Sequence, residues 1–184
     1  GFNLSVFNRS KLKSKPLERY GANISNSIGD LVKNSDIIIT MLTNDTAVDE
    51  VILQKEFMNN INPGSIVIDM SSIKPTTAQK HANNLELKNV KYLDAPVSGG
   101  TIGAEEGSLA IMVGGQLHVF NEVEDILKSM GNPTLVGPIG SGQVSKLANQ
   151  IIVGITIGAV AEAVTLCEKA GTDPNKVIKA LSGG

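Results

Sequence analysis

Two short runs of β-branched residues constrain the fold of this chain most. DIIITML, residues 36–42, and SIVIDMS, residues 65–71, are mostly apolar and lack the alternation of a half-exposed strand. Such runs are typical of strands that are buried on both faces of a parallel sheet. A helical pattern follows each run, with Asp45 as the expected N-cap of one helix and Pro75 near the first position of the other. This order predicts βαβ units.

The same alternation of strand and helix extends along most of the chain. Nineteen glycines and few aromatic residues fit an α/β protein with many tight turns between strands and helices. The pattern predicts an α/β fold with a Rossmann-like, doubly wound, mainly parallel sheet. Further strands are predicted at residues 4–8, 90–97, 109–115 and 133–137, and further helices at residues 11–20, 27–34 and 116–130.

The phosphate-binding fingerprint of dinucleotide-binding folds is absent from the sequence. Such folds open with a strand, then G-x-G-x-x-G, then a helix. GPIGSGQVSK, residues 137–146, is the nearest similar stretch, but no strand ending in an acidic residue follows it at the required distance. We therefore expect residues 1–140 to form a dinucleotide-binding domain whose first βα unit is missing. Residues 141–184 are expected to form a long interdomain helix and the start of an all-helical domain.

Charge and cysteine content exclude several classes of function. The net charge is −2 and no block of like charge occurs, which argues against nucleic acid or an anionic membrane surface as the main partner. The single cysteine, Cys167, rules out an internal disulfide and a zinc cluster, so no metal site is expected. No signal peptide is visible, and a cytoplasmic location is expected. The longest apolar stretch, residues 151–161, is too short to span a bilayer.

Four short polar or glycine-containing segments follow predicted strands. They are Asn8-Arg9, Thr43-Asn44, Ser71-Ser72 and Val97-Ser98-Gly99-Gly100. Because ligands of doubly wound sheets bind outside the carboxyl ends of the strands, we expect these segments to line one crevice. Arg9 stands where an NAD-specific fold carries an acidic residue for the ribose 2′-hydroxyl. An arginine there suits the 2′-phosphate of NADP, while a solvated surface arginine is the alternative. NADP is the expected cofactor, and NAD is possible.

Lys146 enters the long apolar segment that begins near residue 141. At 100° per residue, it shares one helical stripe with Asn149 and with apolar residues further along, which predicts a helix buried most of the way round. Two interpretations stay open. The lysine can extend to water from the first turns of the helix. Alternatively, a lysine partly removed from water, held by the neighbouring amide, can serve as a proton donor or acceptor.

Three motifs together resemble the β-hydroxyacid dehydrogenase family. They are DMSSIKP at residues 69–75, DAPVSGGTIGAEEGSLAIMVGG at residues 94–115 and GSGQVSKLANQ at residues 140–150. Within this family, KLANQIIVGITIGAVAEAVTLCEKAG and the closing LSGG look most like the tartronate semialdehyde reductases. The 3-hydroxyisobutyrate dehydrogenases and the glyoxylate or succinic semialdehyde reductases are similar alternatives. The resemblance covers essentially the whole chain.

The resemblance implies a role for each matching residue. Lys146 matches the catalytic lysine and Asn149 its partner, while Ser98, Gly99 and Gly100 match the loop that holds the substrate carboxylate. Leu42, Thr43 and Ser72 match cofactor contacts, beside Asn8 and Arg9 at the end of the first strand. The implied reaction moves a hydride between the nicotinamide and a small 3-hydroxy acid or 3-oxo acid, best matched by tartronate semialdehyde and glycerate. The implied partners are a small carboxylate-bearing substrate and further copies of the chain.

Other functions fit the sequence less well. In 6-phosphogluconate dehydrogenases, which share the lysine, a histidine stands at the position of Asn149, which argues against a sugar-phosphate substrate. A hydrolase is disfavoured because Ser98 has no plausible histidine base. An inactive fragment, or a non-catalytic module for binding or oligomerisation, is the alternative from a different class. With a C-terminal partner absent, so apolar a helix predicts exposed hydrophobic surface and association.

Overall fold

The computed structural model describes residues 2–182. Gly183 and Gly184, the last residues of the closing LSGG, lie outside the described residues. The chain divides into two compact units, Gly1–Lys146 and Leu147–Gly184.

The first unit has a strand or a helix at each predicted segment, but the predicted strand at residues 90–97 is divided into two, and a strand at residues 23–24 and helices at residues 55–60 and 100–106 were not predicted. Its strands are β1 Ser5–Val6, β2 Asn23–Ile24, β3 Ile37–Thr40, β4 Ile66–Asp69, β5 Lys91–Asp94, β6 Val97–Ser98, β7 Leu109–Gly114 and β8 Gly131–Gly137. Its helices are α1 Lys11–Ser14, a 3-10 helix Lys15–Tyr20, α2 Ile28–Lys33, α3 Asp45–Ile52, α4 Lys55–Asn60, α5 Pro75–Glu86, α6 Gly100–Glu106 and α7 Leu117–Lys128, and the long helix α8 Ser141–Lys169 begins in this unit. Helix α9, Pro174–Leu181, lies in the second unit.

Two sheets form among the described residues. Strands β1 and β2 make a parallel pair. The other six strands form one sheet in the order β3-β4-β5-β7-β6, with β8 beside β7. The pairs β3–β4, β4–β5 and β7–β8 are parallel, which agrees with the predicted mainly parallel sheet, whereas β7 runs antiparallel to β5 and β6. Hydrophobic periodicity does not encode strand direction, so the sequence did not predict this reversal.

Strand β4 is buried on both faces, as predicted. Val67 belongs to one apolar cluster, and Ile66 and Ile68 belong to the other. Successive side chains of a strand point to opposite faces, so the two clusters lie on the two sides of the sheet. The same prediction is wrong for β3, where Ile38 is buried but Ile39 is 41% exposed. Strand β3 lies at the edge of the sheet, and Ile37, on the same face as Ile39, packs against the second apolar cluster, whereas Ile39 nearer the carboxyl end of the strand does not belong to it.

The caps of the helices follow local chemistry with one correction. Ser27 caps α2 by accepting a hydrogen bond from the Asp30 N–H, and Pro75 is the first residue of α5. The predicted cap of α3 is wrong, because Asn44 rather than Asp45 accepts the hydrogen bond, from the Ala47 N–H. The carboxylate of Asp45 is engaged with α5 instead.

Helix α8 begins at residue 141, as predicted, but it is not buried within the described chain. From Leu147 onward most of its side chains are exposed, including Ile151 and Ile155. The predicted burial between two domains or subunits stays a prediction, whereas the expectation of exposed apolar surface in the absence of a partner agrees with the exposed side chains within residues 2–182. By length and composition alone, this helix is also long and apolar enough to cross a membrane. Residues 151–161, the uninterrupted apolar stretch, are too short to span a bilayer, but the whole helix is not.

Candidate functional site

The carboxyl ends of three parallel strands lie in register at one edge of the main sheet. Thr40 at the end of β3 pairs with Asp69 at the end of β4, and Asp69 pairs with Asp94 at the end of β5. The loops after these strands therefore leave the sheet side by side. This confirms the predicted common edge for three of the four segments. The fourth, Asn8-Arg9, follows β1 in the separate parallel pair.

A buried carboxylate joins the first two of these loops. Asp69 Oδ1 accepts hydrogen bonds from Thr40 Oγ1 at 2.8 Å and from the Ser71 N–H at 3.1 Å. Ser71 Oγ in turn accepts from the Leu42 N–H at 2.9 Å. Burial raises the pKa of Asp69, and the hydrogen bonds from Ser71 and Thr40 oppose that shift. The network fixes the backbone beside Leu42 and beside Ser71.

Two of the predicted cofactor contacts are free to meet a ligand at this edge. The side chains of Thr43 and Ser72 are exposed, and Leu42 is half-buried against the core cluster beneath it. Hydroxyl groups donate and accept hydrogen bonds, so both exposed side chains suit the polar groups of a nucleotide. The structure thus brings the three residues together on neighbouring loops.

The predicted substrate loop consists of β6 and the start of α6. Gly99 has φ +135° and Gly100 has φ +65°, a region in which only glycine is unstrained. A Cβ on Gly99 would also lie 3.2 Å from Leu109 Cδ2. Ser98 is half-buried and both glycines are exposed. The absence of side chains lets an anion approach this backbone closely, with the Ser98 hydroxyl as an added donor.

Lys146 reaches this loop. Its Nζ donates a hydrogen bond to the carbonyl oxygen of Val97 at 2.8 Å, and the side chain is half-buried. Val97 directly precedes Ser98, so the cation of Lys146 lies beside the proposed carboxylate-binding glycines. The interpretation in which Lys146 only extends to water is wrong. The hydrogen bond instead places the Lys146 side-chain nitrogen next to the predicted anion-binding loop.

Asn149 lies in the second unit, on the same helix as Lys146. Its Oδ1 is shielded from solvent and accepts no hydrogen bond from the described residues. A shielded amide oxygen normally has a donor, which a water molecule or a ligand supplies. That property suits the predicted role of an amide that binds a substrate hydroxyl.

Two residues that the sequence did not single out fix the start of α8. Asp94 Oδ1 accepts from the Gly140 N–H at 2.7 Å, and its Oδ2 accepts from the Gln143 N–H at 2.9 Å. Burial raises the pKa of Asp94, opposed by these two hydrogen bonds. The side chain of Gln143 bonds to the loop that contains Ser71. The only sequence signal was the position of Asp94 at a strand end inside a recognised motif.

The predicted cofactor residues of the first strand line a small cavity of their own. It has a volume of about 210 Å³, and its polar lining includes Asn8, Arg9 and Lys11. Lys11 Nζ donates to Asn26 Oδ1 at 2.9 Å, and Asn8 Oδ1 accepts from the Ser10 N–H at 2.9 Å. No acidic residue lines this cavity, and within residues 2–182 neither cation forms an ion pair. Two cations without a carboxylate suit a phosphate group.

Metal-ligand chemistry is not apparent in the part of the chain that the structure describes. Within residues 2–182, no group of three or more histidine, cysteine, aspartate or glutamate residues is close enough to hold a metal ion. His81 is fully buried and bonds to Asp49 through Nε2 at 2.6 Å, which agrees with a structural role.

Comparison with known proteins gives one family across most of the chain. Residues 1–172 match the family model described as the NAD binding domain of 6-phosphogluconate dehydrogenase. A probable mitochondrial 3-hydroxyisobutyrate dehydrogenase of Dictyostelium discoideum is 40% identical over 179 residues, which are 96% of this chain and 56% of that protein. The 2-hydroxy-3-oxopropionate reductase of Escherichia coli (strain K12) is 46% identical over 152 residues, which are 82% of this chain and 52% of the reductase.

A solved structure shows the same fold. The 3-hydroxyisobutyrate dehydrogenase of Mycobacterium tuberculosis, determined with L-serine, superimposes with a TM-score of 0.93 at 28% identity. The match covers 100% of this chain and 63% of that one. The chain therefore spans a little over half the length of the proteins it resembles.

Proposed function

This chain belongs to the β-hydroxyacid dehydrogenase family, and from that premise we propose that the protein is an NAD(P)-dependent oxidoreductase of small 3-hydroxy acids. The observation that carries the proposal is the 2.8 Å hydrogen bond from Lys146 Nζ to the Val97 carbonyl. It sets a proton donor beside the glycine loop at the edge of the sheet. Nicotinamide cofactors bind at this edge in doubly wound folds.

Each residue of the candidate site has a separate role in the proposed reaction. When bound, the nicotinamide supplies the hydride in reduction and accepts it in oxidation. Ser98, Gly99 and Gly100 hold the substrate carboxylate, which orients the neighbouring carbonyl group. Lys146 gives a proton to the carbonyl oxygen during reduction and removes one from the hydroxyl during oxidation. Asn149 binds that oxygen through its amide and limits the orientations open to the substrate.

The same loops fit a nicotinamide dinucleotide. Leu42, Thr43 and Ser72 line the edge where the ends of β3 and β4 meet, and two of these side chains are exposed hydroxyls. The cavity at Asn8 and Arg9 suits the adenosine ribose with its phosphate. We propose NADP as the preferred cofactor, because Arg9 and the neighbouring Lys11 offer two cations to a 2′-phosphate.

The preferred substrate is tartronate semialdehyde, reduced to glycerate. Support comes from the GSGQVSKLANQ motif and from the 46% identity to the Escherichia coli reductase. A 3-hydroxyisobutyrate dehydrogenase activity is the second candidate, favoured by the 40% identity to the Dictyostelium protein. A panel of tartronate semialdehyde, methylmalonate semialdehyde, succinic semialdehyde and glyoxylate separates these possibilities by the value of kcat/KM.

The decisive experiment follows NADPH oxidation with that panel in the complete protein that contains this sequence. We expect Lys146→Ala to lower kcat by about 100-fold or more, since a positioned acid contributes that much. NADPH binding should stay within about threefold, because the lysine lies at the substrate loop. Lys128→Ala is the matched control, since Lys128 is exposed and pairs only with Glu124. Equal turnover by the wild type and Lys146→Ala would refute the assigned role.

Cofactor choice has its own test. In Arg9→Ala, the KM for NADPH should rise by about tenfold or more, because one charge-assisted hydrogen bond to phosphate is lost. The KM for NADH should change little, since NADH lacks the 2′-phosphate. An equal effect on both cofactors would show that Arg9 does not read that phosphate.

The oligomeric state, location and partners of the protein are also proposed. The exposed apolar side chains of α8 support a homo-oligomer, in which a second copy would bury them. The single cysteine supports a cytoplasmic location. Its partners would be a small carboxylate-bearing substrate and further copies of the chain, with neither nucleic acid nor a membrane. Sedimentation without detergent tests this, and a requirement for detergent would favour a membrane-associated helix instead. Nicotinamide binding without turnover would favour the non-catalytic module.

A further inference from the structure

Gln143 is a buried amide whose two polar atoms both bond to one loop. Its side chain is 1% exposed. Nε2 donates to the carbonyl oxygen of Ser71 at 2.9 Å, and Oε1 accepts from the Ile73 N–H at 3.1 Å. These two backbone groups flank Ser72, the proposed cofactor contact. The amide therefore fixes the backbone on both sides of that residue.

The backbone of the same residue is fixed to a second strand. The Gln143 N–H donates to Asp94 Oδ2 at 2.9 Å, and the Gly140 N–H donates to Oδ1 of the same carboxylate at 2.7 Å. The first turn of α8 is thereby attached to the end of β5. Lys146 follows one helical turn later, and its Nζ bonds to Val97 in the loop after β5. Gln143 thus connects the Ser72 loop with the turn that carries the lysine.

We infer that Gln143 is a positioning residue that fixes the distance between the cofactor loop and the proton-donating lysine. The inference rests on the proposed function of Lys146 and Ser72. At every pH an amide both donates to the Ser71 carbonyl and accepts from the Ile73 N–H, which an ionised carboxylate does not do. An apolar side chain of similar size leaves both backbone groups buried without a partner. A carboxylate keeps the bond to Ile73 but faces the Ser71 carbonyl with a second acceptor.

Two substitutions in the complete protein test this role. Gln143→Glu is isosteric and removes only the donor, whereas Gln143→Met removes both hydrogen bonds and keeps the volume. Gln116→Glu is the matched control, because Gln116 is exposed and makes no side-chain hydrogen bond to the described residues. For each protein, the NADPH Kd is measured by fluorescence, together with kcat, the KM for the oxo acid and the melting temperature.

Both variants should weaken cofactor binding and slow turnover more than they affect binding of the acid. We expect about a tenfold rise in the NADPH Kd and about a tenfold fall in kcat, since unpaired buried groups cost that much. The KM for the oxo acid should stay within about threefold, because the glycine loop is not bonded to Gln143. The control should match the wild type in all three constants.

The pH dependence of Gln143→Glu separates positioning from a general loss of structure. A protonated carboxyl group donates to the Ser71 carbonyl and accepts from Ile73, as the amide does. The activity of the variant relative to wild type should therefore rise toward one as the pH is lowered. The charged groups beside this position, Asp69, Asp94 and Lys146, are present in both proteins, so a pH dependence found only in the variant is due to the introduced carboxyl group.

Several outcomes would overturn the inference. It is wrong if both variants keep NADPH Kd and kcat within about twofold of wild type, or if only the melting temperature falls. An activity ratio independent of pH would also exclude the bond to Ser71 as the cause. If Gln143→Met does not fold, the pH profile of Gln143→Glu decides. A wild-type protein that binds NADPH but reduces no oxo acid would refute the proposed function. The NADPH Kd values of the variants would then still show whether Gln143 positions the cofactor loop.

Discussion

Gly142 allows the start of α8 to lie directly against the sheet. A Cβ at this position would overlap the carbonyl oxygen of Met112 in β7, and it would lie 2.7 Å from the carbonyl oxygen of Asp94 in β5. Both obstacles are backbone atoms of strands that pair within the sheet, so neither moves easily. We therefore predict that Gly142→Ala displaces the first turn of α8 and destabilises the fold.

The size of this effect follows from two opposing contributions. Overpacking of a rigid site costs about 1–3 kcal/mol, and two fixed backbone oxygens place Gly142 at the upper end of that range. Alanine in place of glycine in a helix returns at most about 1 kcal/mol. The net loss is about 2 kcal/mol. For a chain of this length, that loss lowers the melting temperature by about 4–8 °C.

Thermal unfolding followed by circular dichroism measures the loss. Gly154→Ala is the matched control, because Gly154 lies in the same helix and no described atom stands within 4 Å of the added methyl group. It should be neutral or stabilising by up to about 1 kcal/mol. Displacement of this turn should also lower kcat, since Lys146 follows it by one turn in the same helix. A melting temperature for Gly142→Ala within about 1 °C of wild type would refute this account of close backbone contact.

Two further predictions concern stability against pH. The hydrogen bond and charge of Lys80, together with His81, lower the pKa of Asp49 below its usual 3.8, so this carboxylate stabilises the fold above that pH and loses its effect as the pH falls through the lowered value. Asp49 is about one-third exposed, so Asp49→Asn should lower the free energy of unfolding by only about 0.5–1 kcal/mol at neutral pH and by nothing in strong acid. Urea unfolding at both pH values measures this difference. An equal loss at both would show that ionisation of Asp49 is not coupled to folding. Burial raises the pKa of Asp94, so the folded state favours the protonated form of this side chain. The free energy of unfolding of the wild type, relative to that of Asp94→Asn, should therefore decrease as the pH rises from below 3.8 through the raised pKa. The same urea titrations measure it, and a slope of opposite sign would show that the hydrogen bonds to Asp94 outweigh its desolvation.

Local patterns were enough to predict the elements of the fold. The run at residues 65–71 predicted a doubly buried strand, and β4 is one. Pro75 marked the beginning of its helix correctly, because helix starts depend on residues within one turn. The predictions failed where the environment is set by distant parts of the chain. Ile39 is exposed near the carboxyl end of the edge strand β3, and apolar composition cannot show which strand lies at an edge.

The candidate site divides in the same way. Neighbours along the chain decide which residues follow each strand and that Lys146 enters a helix, so both were predicted correctly. The partners of Lys146 and Gln143 depend on packing, because Val97 and Ser71 lie 49 and 72 residues away along the chain. A buried polar group takes whichever partner the packed sheet brings within about 3 Å, and no periodicity in the sequence records that partner. The sequence therefore proposes candidate residues for the site, whereas the contacts that hold them in place exist only once β3, β4 and β5 lie side by side.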